Sequence, residues 1–415
     1  MDSGNLAWLM IATALVLLMT PGVALFYGGL VKAKSVVSMM MMSFGALGLV
    51  AVLWVLYGFS MSAVSSTWGF AGNPFGDFAL ASTIADDPTG ESTIGVAFGA
   101  TFAIITVALI SGAIADRAKF GAWMVFAGIW ATVVYFPVAA WVWGGGWIFG
   151  LGGEMFPDAG VEVIDWAGGT AVHINAGAAA LALALVLGRR VGFQKGIQKP
   201  HNVPLVMLGA AVLWFGWFGF NAGVTAAPLG EEGNLATGLI IINTMVCPAA
   251  AILGWIIVEK FKDGKATSVG AASGAVAGLV AITPACANLE PIWAIVLGII
   301  TGAVCALAIE LKWKLGYDDS LDVVGVHLVG GLIGTIYLGF FAIDTGLFLG
   351  GGIEQLVVQV ISAVAVLVYS FVVALVLGFA IQKTIGFRIR NEDEVAGVDV
   401  SVHGEEGYAI AADAR

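Results

Sequence analysis

Two histidines carry most of the chemical information in this chain. His173 and His327 each lie inside a long apolar stretch, in DWAGGTAVHIN from Asp165 and DVVGVHLVGG from Asp322. Apolar surroundings favour the neutral imidazole, which keeps one ring nitrogen to donate and one to accept. Two rings within reach of one another titrate as a pair. A single buried histidine in a soluble protein is most simply a satisfied core residue. At hydrocarbon depth the balance reverses, because ionisable groups there are costly and line pathways. His201 and His403 fall in polar stretches and support no such inference. Neither buried histidine neighbours a nucleophile or a metal-ligand set, so the sequence favours neither an enzyme nor a cofactor. Cys247, Cys286 and Cys305 sit in or beside apolar stretches without ligand spacing and read as small core residues.

The elements that must hold the histidines are membrane helices. Of 415 residues, 60% are hydrophobic and only 11% charged, and 58 are glycine, which lets helices pack closely where burial in lipid gives no drive. A span needs roughly 20 apolar residues. Eleven windows qualify: Leu6 to Leu30, Ser35 to Met61, Ser92 to Ala115, Phe120 to Trp143, Trp166 to Gly188, Val203 to Val224, Leu235 to Val258, Ala266 to Ala287, Pro291 to Ile309, Val323 to Ile343 and Gln355 to Ile381. The first lacks the basic lead of a signal peptide and is expected to stay as a span. Every Lys and Arg falls in alternate loops or the tail, and the opposite loops hold acids only. By the positive-inside rule the N-terminus lies outside and the C-terminus inside, in a cell or inner membrane. The net charge of -11 comes mainly from an outer loop and the tail, and no basic cluster suggests nucleic acid.

The fold class expected is an all-α integral membrane protein with eleven transmembrane helices, a five-plus-five inverted repeat and one extra C-terminal helix. The histidine motifs fall in the fifth and tenth windows, and a unit of five spans forces the second copy to enter upside down. His173 lies eight residues from Asp165, about 12 Å, and His327 five from Asp322, about 7.5 Å. Both then reach the middle of a core about 30 Å thick. The expected divisions are 1–385 for the transmembrane domain, with repeats at 6–188 and 203–343 and an extra helix at 355–381, and 386–415 for a cytoplasmic tail. No matched pair of Gly- or Pro-broken helices stands out, which counts against a sodium-coupled carrier.

The stretches PGVALFYGGLVKAKS, GAIADRAKF, VWGGGW, DWAGGTAVHINAG, WFGWFGFNAG, ITPAC and DDSLDVVGVH resemble the ammonium transporter, methylammonium permease and Rhesus protein family over essentially the whole chain. The resemblance implies a homotrimer with one pore per subunit, conducting ammonium or ammonia, with methylammonium as a second substrate. It assigns His173 and His327 to a pore pair, Phe102 and Phe220 to stacked outer gate rings, and Trp143, Asp165 and Trp217 to the site that recruits the cation. Asp165 would also serve as a helix N-cap, and the two roles are compatible. Where the family commonly reads FNAGS this chain has Val224, which removes a hydroxyl from the outer site. The tail segment GVDVSVHGEEGY resembles one that packs under the trimer and communicates with PII signalling proteins. An ammonium sensor acting through that tail is the alternative function.

Overall fold

The structure is a computed structural model describing residues 3–64, 69–194, 199–226 and 230–408, with no side chains placed for 226 and 230–235. The end of the tail, part of the basic run 189–199, and the side chains of Glu231 and Glu232 therefore lie outside the described residues. Among the described residues ten helices are long and apolar enough to cross a membrane: α1 Ser3–Leu30, α2 Ala33–Met61, α3 Glu91–Ile114, α4 Phe120–Val142, α5 Gly169–Leu187, α6 Val203–Thr225, α7 Ala236–Asp263, α9 Pro291–Leu315, α10 Val324–Phe341 and α11 Glu354–Thr384. The remaining window is helical only over α8, Ser268–Ile282. Fifteen residues rise about 22 Å. Beyond α8 the chain turns at Thr283 and Pro284 inside the protein, where the Asn243 amide donates to the carbonyls of Cys286 and Leu289 at 2.9 and 2.8 Å. Irregular backbone at membrane depth is tolerated where protein groups satisfy it in this way.

A short α8 has a counterpart. The last turn of α3, Ser111–Ile114, tightens and then leaves the helix. Each of these third-helix ends meets the lead-in to a fifth helix. Ser320 N donates to Ala113 O at 3.3 Å, and Trp166 N and Ala167 N donate to Pro284 O and Thr283 O, both at 3.2 Å. Both third helices thus end against the lead-in to a fifth, α3 at the end of its window and α8 short of it.

Small residues set the helix spacing. A Cβ on Gly209 of α6 would come 2.3 Å from Phe26 N on α1, and one on Gly302 of α9 would come 2.0 Å from Ala251 O on α7. The backbones therefore touch, as the glycine content suggested. The tail folds back across the face that carries the basic loops. The Asp399 carboxylate accepts from Val37 N and Ser38 N at the start of α2, 3.1 and 2.7 Å. Glu394 accepts from Val191 N and from Arg388, 2.6 and 2.8 Å. His201 bridges Val31 O and the Tyr408 hydroxyl, both at 2.8 Å. On the same face Arg190 ties Asp116 to Asp318 at 3.1 and 2.8 Å.

Candidate functional site

The fifth helix of each unit begins with a buried aspartate that organises its first turn. The Asp165 carboxylate accepts from the N–H groups of Gly168, Thr170 and Ala171 at 3.1, 3.0 and 2.9 Å. In the second unit the matching residue is Asp319, which accepts from Val324 N at 2.7 Å. Asp165 precedes His173 by eight residues, and Asp319 precedes His327 by the same eight. The sequence had matched Asp165 with Asp322 because both are followed by glycine. The structure corrects this: Asp322 pairs with Lys312 at 2.5 Å and uses its backbone carbonyl to accept from Val326 N. Equal spacing from the cap, not the local motif, is what the repeat preserves.

Both histidines ride on π-helical turns, Gly169–Ile174 and Val324–Leu328. In the first, His173 N reaches back five residues to Gly168 O at 3.0 Å. Such widened turns re-aim a side chain and recur at functional sites. The two helices cross closely at glycine; a Cβ on Gly177 would lie 2.6 Å from the Leu328 Cβ. Side by side, the imidazoles meet Nδ1 to Nδ1 at 3.2 Å, with ring centroids 5.3 Å apart and planes at 19°. A hydrogen bond between two Nδ1 atoms needs one to donate and the other to accept. The Nε2 atoms are therefore left with opposite roles, an acceptor on the first ring and an N–H donor on the second. The His173 Nε2 has no protein partner although it is fully buried.

A file of rings continues from this pair. Trp217 stacks on His173 at 5.5 Å and 19°, and its indole N–H donates to the Thr283 hydroxyl at 2.8 Å. Phe220 follows, stacked against Phe102 at 4.1 Å and 13°. Beneath the phenylalanines a cavity of about 10 Å³ is lined by His173, His327, Trp217, Tyr27 and apolar side chains. It has room for about one water-sized molecule. Above them, toward the face that carries the N-terminus, a cavity of about 400 Å³ opens among Phe102, Trp143, Trp166 and Val224. Trp143 stands at 90° to Phe102 with centroids 6.1 Å apart, and its indole donates to Asp165 O at 2.8 Å. Asp165 itself is 6% exposed, with its carboxylate turned into the helix. The structure therefore brings His173, His327, Phe102, Phe220 and Trp217 into one column, puts Trp143 and Val224 at its mouth, and sets Asp165 behind it.

Sequence reasoning missed Thr283, Tyr27, Trp54, Trp166 and Asp319. Thr283 and Trp166 lie within quoted motifs, ITPAC and DWAGG, but no spacing rule links them to an indole or a pore. Among the described residues no group of His, Cys, Asp and Glu is arranged to hold a metal.

Comparison with known proteins agrees with this geometry. Residues 7–408 match the model of the Ammonium Transporter Family. The ammonium transporter of Mycobacterium bovis is 49% identical, covering 99% of this chain and 91% of its own. That of Aquifex aeolicus is 44% identical over 99% of this chain and 94% of its own. The crystal structure of Candida albicans Mep2 superposes with a TM-score of 0.84 at 32% identity, covering 95% of this chain and 88% of that one. A structure described as a sensor Amt protein superposes at 0.86 and 27% identity, covering 96% and 97%. A multi-pass chain with a buried histidine pair under stacked rings, matched to this model over nearly its whole length, belongs to the Ammonium Transporter Family.

Proposed function

We propose that the chain carries ammonium nitrogen through the column of rings as neutral ammonia, after the cation has surrendered a proton at the aromatic mouth. The observation that carries this is the Nδ1-to-Nδ1 histidine pair in a cavity of about 10 Å³ closed by Phe102 and Phe220. A bare cation in such an apolar space is costly to desolvate. Ammonia is water-sized, donates and accepts, and finds both complements in the two Nε2 atoms. Potassium has no proton to surrender and is excluded on the same ground. Trp143 and Phe102 attract the cation through their faces, an effect of about 0.5 to 2 kcal/mol. Asp165 contributes negative charge without direct contact, since helix N–H groups occupy both its oxygens.

The face with acidic loops is outside and the basic face inside, by the positive-inside rule. The body, 1–385, conducts as a homotrimer, and the tail, 386–415, regulates it from the cytoplasm. Tail contacts with the start of α2, with the loop after α5 and with His201 before α6 support that division. The same contacts, and the sensor among its structural relatives, favour a second reading in which tail position reports ammonium to a PII-type protein.

Current and ammonia flux measured together in liposomes, for wild type, His173→Ala and His327→Ala, test the main reading. Ammonium-dependent flux that either substitution alters is the expected result, and the accompanying current reports whether the proton crosses too. A folded protein without flux or current leaves the sensor reading, for which a pull-down with PII protein across nucleotide and 2-oxoglutarate conditions is the test.

A further inference from the structure

The inverted repeat gives the column two mouths, and they are furnished differently. Each buried aspartate that leads into a fifth helix also offers its backbone carbonyl to a side chain from the end of the fourth helix. Outside, Asp165 O accepts from the Trp143 indole at 2.8 Å, one residue past the end of α4. Inside, Asp319 O accepts from Lys312 Nζ at 3.1 Å, in the last turn of α9. Where one mouth presents a ring that attracts a cation, the other holds an ammonium group of its own.

Lys312 Nζ has the surroundings of a bound ammonium ion. Besides Asp319 O it donates to the Asp322 carboxylate at 2.5 Å, and it lies 5.3 Å from the centroid of the Trp313 ring. A carboxylate, a carbonyl and a ring face together replace the water that an ammonium ion gives up. The residue is only 7% exposed. Lys312, Trp313 and Asp322 line a cavity of about 240 Å³ on the face that carries the basic loops. This cavity lies at the inner end of the column. Val323, next in the chain after Asp322, packs with Tyr27 around Gly112, where a Cβ would lie 2.8 Å from the first and 2.7 Å from the ring of the second, and Tyr27 lines the histidine cavity. Among the described residues the outer cavity has no charged side chain in its lining.

We infer that Lys312 is a tethered occupant of the inner cation site, and that it sets the specificity of that mouth by keeping free ammonium from binding there. Its effect on transport rests on the conduction reading, whereas the occupancy itself does not. Ammonia that leaves the histidines and regains a proton meets no vacant cation site to retain it, so it passes on to the cytoplasm. Cytoplasmic ammonium finds the carboxylate, the carbonyl and the ring taken by a group held at high effective concentration by its own side chain. The tether leaves the equilibrium across the membrane unchanged and decides how readily each face saturates.

The test compares wild type with Lys312→Ala, which vacates the site, Lys312→Arg, which keeps a cation, and Lys312→Ala/Asp322→Asn, which removes the carboxylate as well. Lys312→Met retains the stem of the side chain and serves if Lys312→Ala does not fold. Ammonium uptake is measured in right-side-out and inside-out membrane vesicles and corrected for vesicles lacking the protein. Melting of the purified full chain is followed in ammonium chloride against sodium chloride. Lys312→Ala should lower half-saturation at the inner face about tenfold or more, the worth of a bond to a charged group, and leave the outer face within about twofold. It should also gain a saturable, ammonium-dependent rise in melting temperature beyond that of wild type, because a ligand that binds the folded state stabilises it. Lys312→Met should change both readings in the same direction by less. Lys312→Arg should keep the wild-type behaviour at both faces, and the double variant should lose both gains. A lysine with a merely structural role would lower stability on removal without any gain specific to ammonium. Inner-face half-saturation unchanged in Lys312→Ala would overturn the effect on transport. Ammonium stabilisation no greater than in wild type, or equally large in the double variant, would overturn the occupancy. If no form takes up ammonium the conduction reading fails, and the melting comparison still decides the occupancy.

Discussion

The bond between Trp217 and Thr283 is the most exposed link between the fold and the histidines. Trp217 is stacked 5.5 Å from His173, and its ring also borders Phe220 at 5.5 Å, so its orientation sets one wall of the column. That orientation is fixed by one hydrogen bond, 2.8 Å from the indole N–H to the Thr283 hydroxyl, in a residue only 2% exposed. The hydroxyl is held in turn by donating to Leu279 O at 2.7 Å. Replacing Thr283 by Val keeps the shape and removes the acceptor. A buried N–H left without a partner costs about 1 to 3 kcal/mol. Interhelical bonds in membranes have measured nearer 0.6 kcal/mol on average because alternative partners are found. The well-placed rotamer should therefore lose between about threefold and a hundredfold in population. In liposomes, Thr283→Val should lower ammonium flux within that range and shift tryptophan emission, whereas Thr283→Ser, which keeps the acceptor, should restore most of both. Flux and emission identical in wild type and Thr283→Val would show that stacking alone holds Trp217 and would refute the reasoning.

Further expectations concern the mouth, the helix caps and the tail. Val224→Ser restores a partner for a charged ligand, a bond worth about 1.5 to 3 kcal/mol before water competes, so half-saturation of flux should fall about tenfold. Asp165→Ala removes the acceptor of three helix N–H groups and Asp319→Ala that of one, so the first should lower thermal stability in detergent more than the second. Asp399→Ala uncaps α2, at a cost of about 0.5 to 2 kcal/mol, and limited proteolysis should then cut the tail faster. Burial alone would raise the Asp318 carboxyl, but hydrogen bonds from Arg190 and the charges of Arg117 and Arg190 outweigh it and hold the group below its ordinary 3.8. Its stabilising contribution is therefore complete at neutral pH and lost as pH falls through that lowered value; Asp318→Asn should flatten the acid limb of a melting curve.

Much of this architecture is legible along the chain. Every apolar window contains a helix, and most helix ends fall within a few residues of the windows, because membrane insertion depends on the summed hydropathy of consecutive residues. The pairing of His173 with His327 also follows from sequence, since they fall in the fifth and tenth spans and a unit of five, an odd number, forces an inverted repeat. Three matters were decided only by tertiary structure. Asp319 rather than Asp322 is the partner of Asp165, α8 stops at Ile282, and each indole N–H around the mouth has a carbonyl to itself. In each case the outcome depends on which donor meets which acceptor between helices; Trp166 and Asn221, for example, are 55 residues apart. Hydropathy is indifferent to that choice. Directional bonds in a medium without water are not, and they turn a bundle of apolar helices into a column with defined donors and acceptors.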